Sequence, residues 1–476
     1  MRRIYFLALI LFTTLGQAQI TLEANINPDN PPNDTNGSSP GSFIDYQGNL
    51  LFKANQDTVG VELFEFTVAN GVNLIADVRP GADNGSPDNF MILNGILYFT
   101  GFDENVSGID LFSYDGTAVN SESLYGNQFS GLFNPSKLNG KIYYTGFNSS
   151  FTPNRLIEFD GTTGGEVTDQ GNGEEAVLGG RTIAYNGELL LYMNYTTDDA
   201  TTGTELYKYD PVSEQFSLVK DIDPGSGNSS ISDFYEFDGL VYFEANNILW
   251  TTDGTNAGTN PVSAFDNLNL EDPTHFSDWN GELYFEAETQ NDGDELFKYN
   301  PTTDTVTQLS NIDGTNEDHD PEFFTAIDGF LYYAAEDGND SESHLWRTDG
   351  TTIEQIDSFF IEVENLFIYD DRIFFSAEEE DVTDEELYSF DPDTFSIATA
   401  NALQQVTFYP NPSDGLIQFA NGDSLKNYRL YDISGKQISQ GKIENSRINL
   451  SNIATGNYLL LVDDGKAKKT FKLVLK

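Results

Sequence analysis

Three histidines, His275, His319 and His344, and 77 Asp and Glu residues are the groups in this 476-residue chain best suited to hold a metal ion or move a proton. No cysteine is present, which excludes thiol catalysis and Cys-zinc sites. The histidines lie in different segments, and no Gly-x-Ser-x-Gly, His-Glu-x-x-His or Walker loop occurs. His319, in Asp318-His319-Asp320-Pro321, reads as a polar loop residue rather than a ligand. Hard oxygen donors offer sharper chemistry. The clusters Asn291-Asp292-Gly293-Asp294 and Asp337-Gly338-Asn339-Asp340, and the stretch Asp313 to Asp320, could hold calcium. Asp292, Asp294, Asp337, Asn339 and Asp340 are the candidate ligands, and calcium is the one candidate cofactor. None of these clusters fits the full twelve-residue EF-hand loop, and a solvated acidic face is the competing reading. Carboxylate pairs for glycoside hydrolysis are uninformative among so many acids.

The elements that must position these groups repeat. Eight times a tight step leads into a Tyr/Phe-rich run, then a polar loop, then a second run of the type Glu-Leu-Phe-x-Tyr-Asp. The steps fall at Gly48, Gly95, Gly140, Gly187, Gly239, Gly281, Gly329 and Asp371, a spacing of about 46 residues, within the range of propeller repeats. Asn-Gly and Asp-Gly between apolar runs signal hairpins, because both central residues of a type I′ turn need positive φ. Each phrase holds two such signals, for example Asn94-Gly95 and Asp115-Gly116, so each repeat predicts four antiparallel strands. The second strand is apolar without alternation, as in Ile96-Leu97-Tyr98-Phe99, and predicts burial on both faces. The expected fold is all-β: a β-propeller of eight four-stranded blades, with seven as the alternative count and a β-solenoid as the alternative architecture. Ile20–Ile26 resembles a fourth strand and competes with Phe395–Ala400 for the open place in the last blade. Both tight turns of every blade fall at one end. The longer connections gather at the other, where ligand recognition is expected.

Composition divides the chain into three. Residues 1–18 carry Arg2 and Arg3, an apolar run from Ile4 to Leu15, and Gly16-Gln17-Ala18, the pattern of a secretory signal peptide. That run is shorter than a membrane-spanning helix, and no later segment is apolar enough to span. Residues 19–402 hold 11 Lys and Arg against 71 Asp and Glu, a net charge of −60. Such a surface repels nucleic acid and could concentrate cations. Residues 403–476 hold 10 basic against 6 acidic residues and read as a small, β-sandwich-like domain.

Two resemblances add to this reading. Leu249-Trp-Thr-Thr-Asp-Gly-Thr255 and Leu345-Trp-Arg-Thr-Asp-Gly-Thr351 resemble the ELWxxDGT repeats of secreted Bacteroidetes proteins, which implies a secreted or surface propeller without a defined activity. The runs Val406-Thr-Phe-Tyr-Pro-Asn-Pro-Ser-Asp-Gly415, Leu430-Tyr-Asp-Ile-Ser-Gly-Lys436 and Ile448 to Val462 resemble the C-terminal sorting domain of the type IX (Por) secretion system. That resemblance implies Sec export, then transfer across the outer membrane by the type IX machinery. Tail removal, with release or attachment to surface lipopolysaccharide, usually follows. The expected function is a secreted or surface-bound, non-catalytic propeller that binds a glycan or protein on its long-loop face. The alternative is a polysaccharide-degrading enzyme on the same scaffold.

Overall fold

The computed structural model describes residues 20–27, 37–103, 108–122, 129–148, 154–168, 176–195, 202–289, 293–312, 318–338, 342–379, 384–392, 406–420, 425–432, 436–443, 445–463 and 468–476. The chain divides into two compact units, with the long run Thr21–Ser389 in one and Phe390–Lys476 in the other.

The larger unit is a closed ring of eight four-stranded antiparallel sheets. Within each sheet the strands follow in order, and the first strand is innermost. It packs against the first strand of the next blade, and Phe360–Tyr369 of the eighth blade packs against Gly41–Tyr46 of the first. The eighth blade takes its outermost strand from the N-terminal segment Ile20–Ala24, beside Glu386–Phe390. The first and last strands of the propeller segment therefore share one sheet, and eight blades, not seven, complete the ring. Phe395–Ala400, the competing strand, lies outside the described residues.

The first turns are type I′ as expected. Asn94 and Gly95 have φ of 52° and 82°, and the seven equivalent steps likewise place both residues at positive φ. The second turns differ. At Asp115-Gly116, Asp253-Gly254 and Asp349-Gly350 only glycine has positive φ. The Asp side chain makes the turn instead: Asp349 Oδ1 accepts the amides of Thr351 and Thr352, each at 2.9 Å. The Asp-Gly-Thr step is thus an Asx turn, with Thr recruited to the carboxylate.

The second strands are buried on both faces, as their patterning predicts. Leu97, Phe99, Ile142, Tyr143, Tyr144, Leu331, Tyr332 and Tyr333 are all 0% exposed. Blades stack through aromatic pairs such as Tyr98–Phe159, Tyr143–Tyr209 and Phe66–Phe374. A tyrosine ending the inner strand also reaches the next blade's first turn. Tyr46 donates to Gly95 O, Tyr185 to Gly239 O, and Tyr369 to Gly48 O across the ring closure.

The smaller unit packs a three-stranded sheet and a four-stranded sheet around Val406, Ile417, Phe419, Leu430, Ile448, Leu460, Val462 and Leu473. No helix among the described residues is long and apolar enough to cross a membrane.

Candidate functional site

In four of the eight phrases a Glu opens the second run; it is a strand residue by pattern, but its side chain does not face solvent. Glu62, Glu205, Glu295 and Glu386 are at most 2% exposed. Each turns its carboxylate onto backbone amides that follow an outermost strand. Glu62 accepts Val78 N at 2.6 Å and Gly85 N at 2.7 Å, Glu205 accepts Ile222 N at 2.7 Å, and Glu295 accepts Ile312 N at 3.0 Å. Glu386 accepts Ile26 N at 2.8 Å and Ser38 Oγ at 2.6 Å. A buried carboxylate is tolerated only with such donors, so the glutamates fix where the inter-blade loops run. Burial pushes Glu62 up to about 7, even against its amide partners.

A second contact latches the same loops to the next blade. In the fourth blade Ser229 N donates to Thr204 O at 3.0 Å and Ser229 O accepts Asn246 N at 3.0 Å. In the sixth, His319 N donates to Asp294 O and His319 O accepts Glu336 N, both at 2.7 Å. Ser38 does the same between the eighth and first blades. The residue after each latch is left-handed: Ser39, Ser86, Ser230 and Asp320 have φ between 41° and 49°. Each inner strand described at this level also bulges, and residues such as Ser42, Asp233 and His275 take positive φ there.

This repeated geometry brings three positions together at the long-loop end of a blade: a residue late in the second strand, the residue before the buried Glu, and the left-handed loop residue. Equivalent positions carry Lys53, Val61 and Ser86 in the first blade, and Tyr192, Thr204 and Ser230 in the fourth, where Ser230 N donates to Tyr192 Oη at 3.1 Å. In the sixth blade all three are carboxylates. Glu286, Asp294 and Asp320 bring ligand oxygens within 4.8 Å of one another. Burial and the neighbouring Glu286, Asp320, Asp318 and Glu288 push Asp294 up to about 7. Burial and the same field raise Asp320. His275 lies 2.7 Å from Glu286 and 3.7 Å from Glu322, and the Glu286 hydrogen bond holds its imidazole above the ordinary pKa. Burial lifts Glu322 to about 7, with His275 opposing.

Of the five calcium candidates read from sequence, Asp294 is in this cluster. Asp337 follows the second strand of the seventh blade and is not part of it. Asp292, Asn339 and Asp340 lie outside the described residues. Glu286 was missed because it sits in a strand, 34 residues before Asp320, with no local acidic run to mark it. The available signal was register: it occupies the same second-strand position as Lys53 and Tyr192.

The histidines do not form a catalytic set. His319 is fully buried, bonds Glu336 O through Nδ1 at 2.7 Å, and faces Tyr333 Oη through Nε2 at 3.3 Å. His344 bonds Phe360 O at 2.9 Å. Burial lowers His319 to about 4. Its unfolded value is about 6.5, so the unfolded state binds the proton first as pH falls. The stabilising contribution is complete above pH 6.5 and is lost between there and pH 4, by up to about 3 kcal/mol. His319→Ser restores the residue found at the latches of Ser38 and Ser229. Chemical denaturation with a chelator present, from pH 7 to 4, is expected to show a shallower loss of stability for this variant than for the parent.

Comparison with known proteins identifies the smaller unit. Residues 407–476 match the secretion system C-terminal sorting domain of the type IX (Por) pathway. No curated protein matches the chain. Among solved structures, an extracellular domain from B. thetaiotaomicron is 12% identical, over 91% of this chain and 74% of that one, with a TM-score of 0.36. The β-propeller domain of the Trilobed protease from Pyrococcus furiosus is 11% identical, over 68% of this chain and 98% of that one, at 0.42. A puromycin-hydrolysing peptidase of Mycobacterium tuberculosis is 10% identical, over 76% of this chain and 61% of that one, at 0.43. The tail marks the protein for export by the type IX system to the cell surface or beyond.

Proposed function

We propose that this exported protein is a non-catalytic binding propeller whose long-loop face holds a glycan or protein ligand, with calcium bound in the sixth blade. The observation that carries the reading is the Glu286-Asp294-Asp320 cluster. The fold converges these positions in blade after blade, and in the sixth it fills all of them with hard oxygen donors. Calcium accepts such carboxylates in irregular geometry, and its remaining positions stay open to water or to ligand hydroxyls. Calcium would also relieve the mutual repulsion that holds Asp294 and Asp320 above their ordinary values.

A thermal melt of the full mature chain tests the cation. Millimolar calcium is expected to raise the melting temperature above that in chelator, through linkage to the folded state. The increase is expected to vanish in the Glu286→Gln/Asp294→Asn/Asp320→Asn variant, and magnesium, which demands stricter geometry, is expected to be less effective. An identical melt with and without calcium would remove the metal. Glycan arrays and pull-downs with calcium present test the ligand, and uniform negatives would count against the binding reading.

A second reading is a polysaccharide-degrading enzyme. It is favoured by one observation: Asp294 is held near neutral pKa beside Glu286, the arrangement of an acid and its partner carboxylate. Release of reducing ends from a polysaccharide panel, abolished by Asp294→Asn, would establish it.

A further inference from the structure

The four-stranded sheet of the sorting domain runs in the order Gln437–Lys442, Asn427–Asp432, Gly456–Asp463, Lys468–Leu475. Its register assigns the side chains to two faces. Leu430 lies opposite Leu460, and Leu460 opposite Phe471; Leu430, Leu460, Val462 and Leu473 form the inner face, at 0–1% exposure. The other face carries Tyr431 opposite Leu459, Leu459 opposite Lys472, Arg429 opposite Leu461, and Val474 opposite Asn457. Tyr431, Leu459, Leu461 and Val474 are only half-buried, and none belongs to the domain's hydrophobic core. Alternation requires polar residues on a solvated face of an antiparallel sheet, and four apolar side chains on adjacent strands break that rule.

We infer that this face is where the type IX export machinery grips the tail, through a partner surface that is apolar at its centre and acidic at its edge. The inference rests on the assignment of residues 407–476 as a sorting domain, a module that acts by being recognised. The partner's chemistry follows from charge. Arg429 and Lys472 flank the apolar stripe, and the domain as a whole carries 10 basic against 6 acidic residues. An apolar centre flanked by Arg429 and Lys472 supplies affinity from burial, and selectivity and encounter rate from electrostatics. The arrangement also separates tasks within the domain: one face of the sheet builds the core, and the other is read.

Export of the full chain, measured as the fraction outside the cell against the fraction in the periplasm, tests the assignment. Leu459→Ser/Leu461→Ser is expected to cut export by at least about tenfold, the effect of losing a central contact. Leu416→Ser, at an exposed position on the other sheet, is expected to export normally. Melting of the purified chains shows whether each variant is folded. If the serine pair does not fold, Arg429→Glu/Lys472→Glu probes the same face at its rim and is expected to reduce export as well. Folded face variants exported like the parent would overturn the inference. So would normal export combined with a lowered melting temperature, because the face would then be covered by another part of the same chain. Deletion of residues 407–476 separates the premise: continued export of that truncation would sink the sorting role itself.

Discussion

Removal of Ile20–Asn27 is expected to open the ring and lower the melting temperature by roughly 5–10 °C, as several kcal/mol of lost stability would in a unit of this size. The segment contributes far more than one edge strand. Glu23 bonds Arg372 and Ser389 of the eighth blade. Ile26 N and Asn27 N donate to the buried Glu386 at 2.8 and 3.2 Å. Without them Glu386 is an undercompensated carboxylate in the interior, which costs about 3 kcal/mol or more. Ile26, at 5% exposure, leaves a further apolar void worth about 2–4 kcal/mol. Asn27 also exchanges hydrogen bonds with Asp57, at 3.0 and 3.2 Å, and so ties the eighth blade to the first. Calorimetry of the truncated chain checks this. A transition as high and as cooperative as the parent's would show that the ring closes without its N-terminal strand. Glu386→Gln isolates one part: it keeps the strand but replaces an acceptor for two amides with a mixed donor and acceptor, and is expected to cost about 1–3 kcal/mol.

The second large effect concerns destination. A chain ending before Thr407 is expected to accumulate folded in the periplasm, with export reduced to background, because the sorting domain is the address that the type IX machinery reads. The propeller's melting transition is expected to persist. Its blades are cored by their own apolar clusters, and the tail has a separate one built from Val406, Ile417, Leu430 and Leu460. Fractionation of cells producing the two chains, with melting of the periplasmic product, measures both. A periplasmic product without a cooperative transition would mean that the propeller depends on the tail for its fold.

Much of this architecture was legible in the linear chain because it rests on local physics. An Asn-Gly step needs two residues at positive φ, and all the first turns have them. An unbroken Tyr/Phe run needs burial on both faces, and the second strands have it. The Asp-Gly steps of the second turns do form turns, but not of the mirror-image kind that the first turns share. The Asp carboxylate competes with the backbone for the following amides, so Asp-Gly-Thr folds through its side chain rather than through a mirror-image turn.

By itself, then, the sequence determined the repeat, the blade-like strand pattern, the three-way division of charge and the export tail, each a property of residues near one another in the chain or of summed composition. Only the tertiary structure decided the rest. It placed Ile20–Ala24 beside Glu386–Phe390, more than 360 residues away, and so settled the blade count. It turned the repeated Glu inward onto loop amides, against the expectation for a charged side chain in an amphipathic strand. It also drew Glu286, Asp294 and Asp320 into one cluster, from a strand, a strand edge and a loop that no sequence window joins. Long-range packing set these outcomes: in a closed ring each blade's loops are positioned by the neighbouring blade as much as by their own residues.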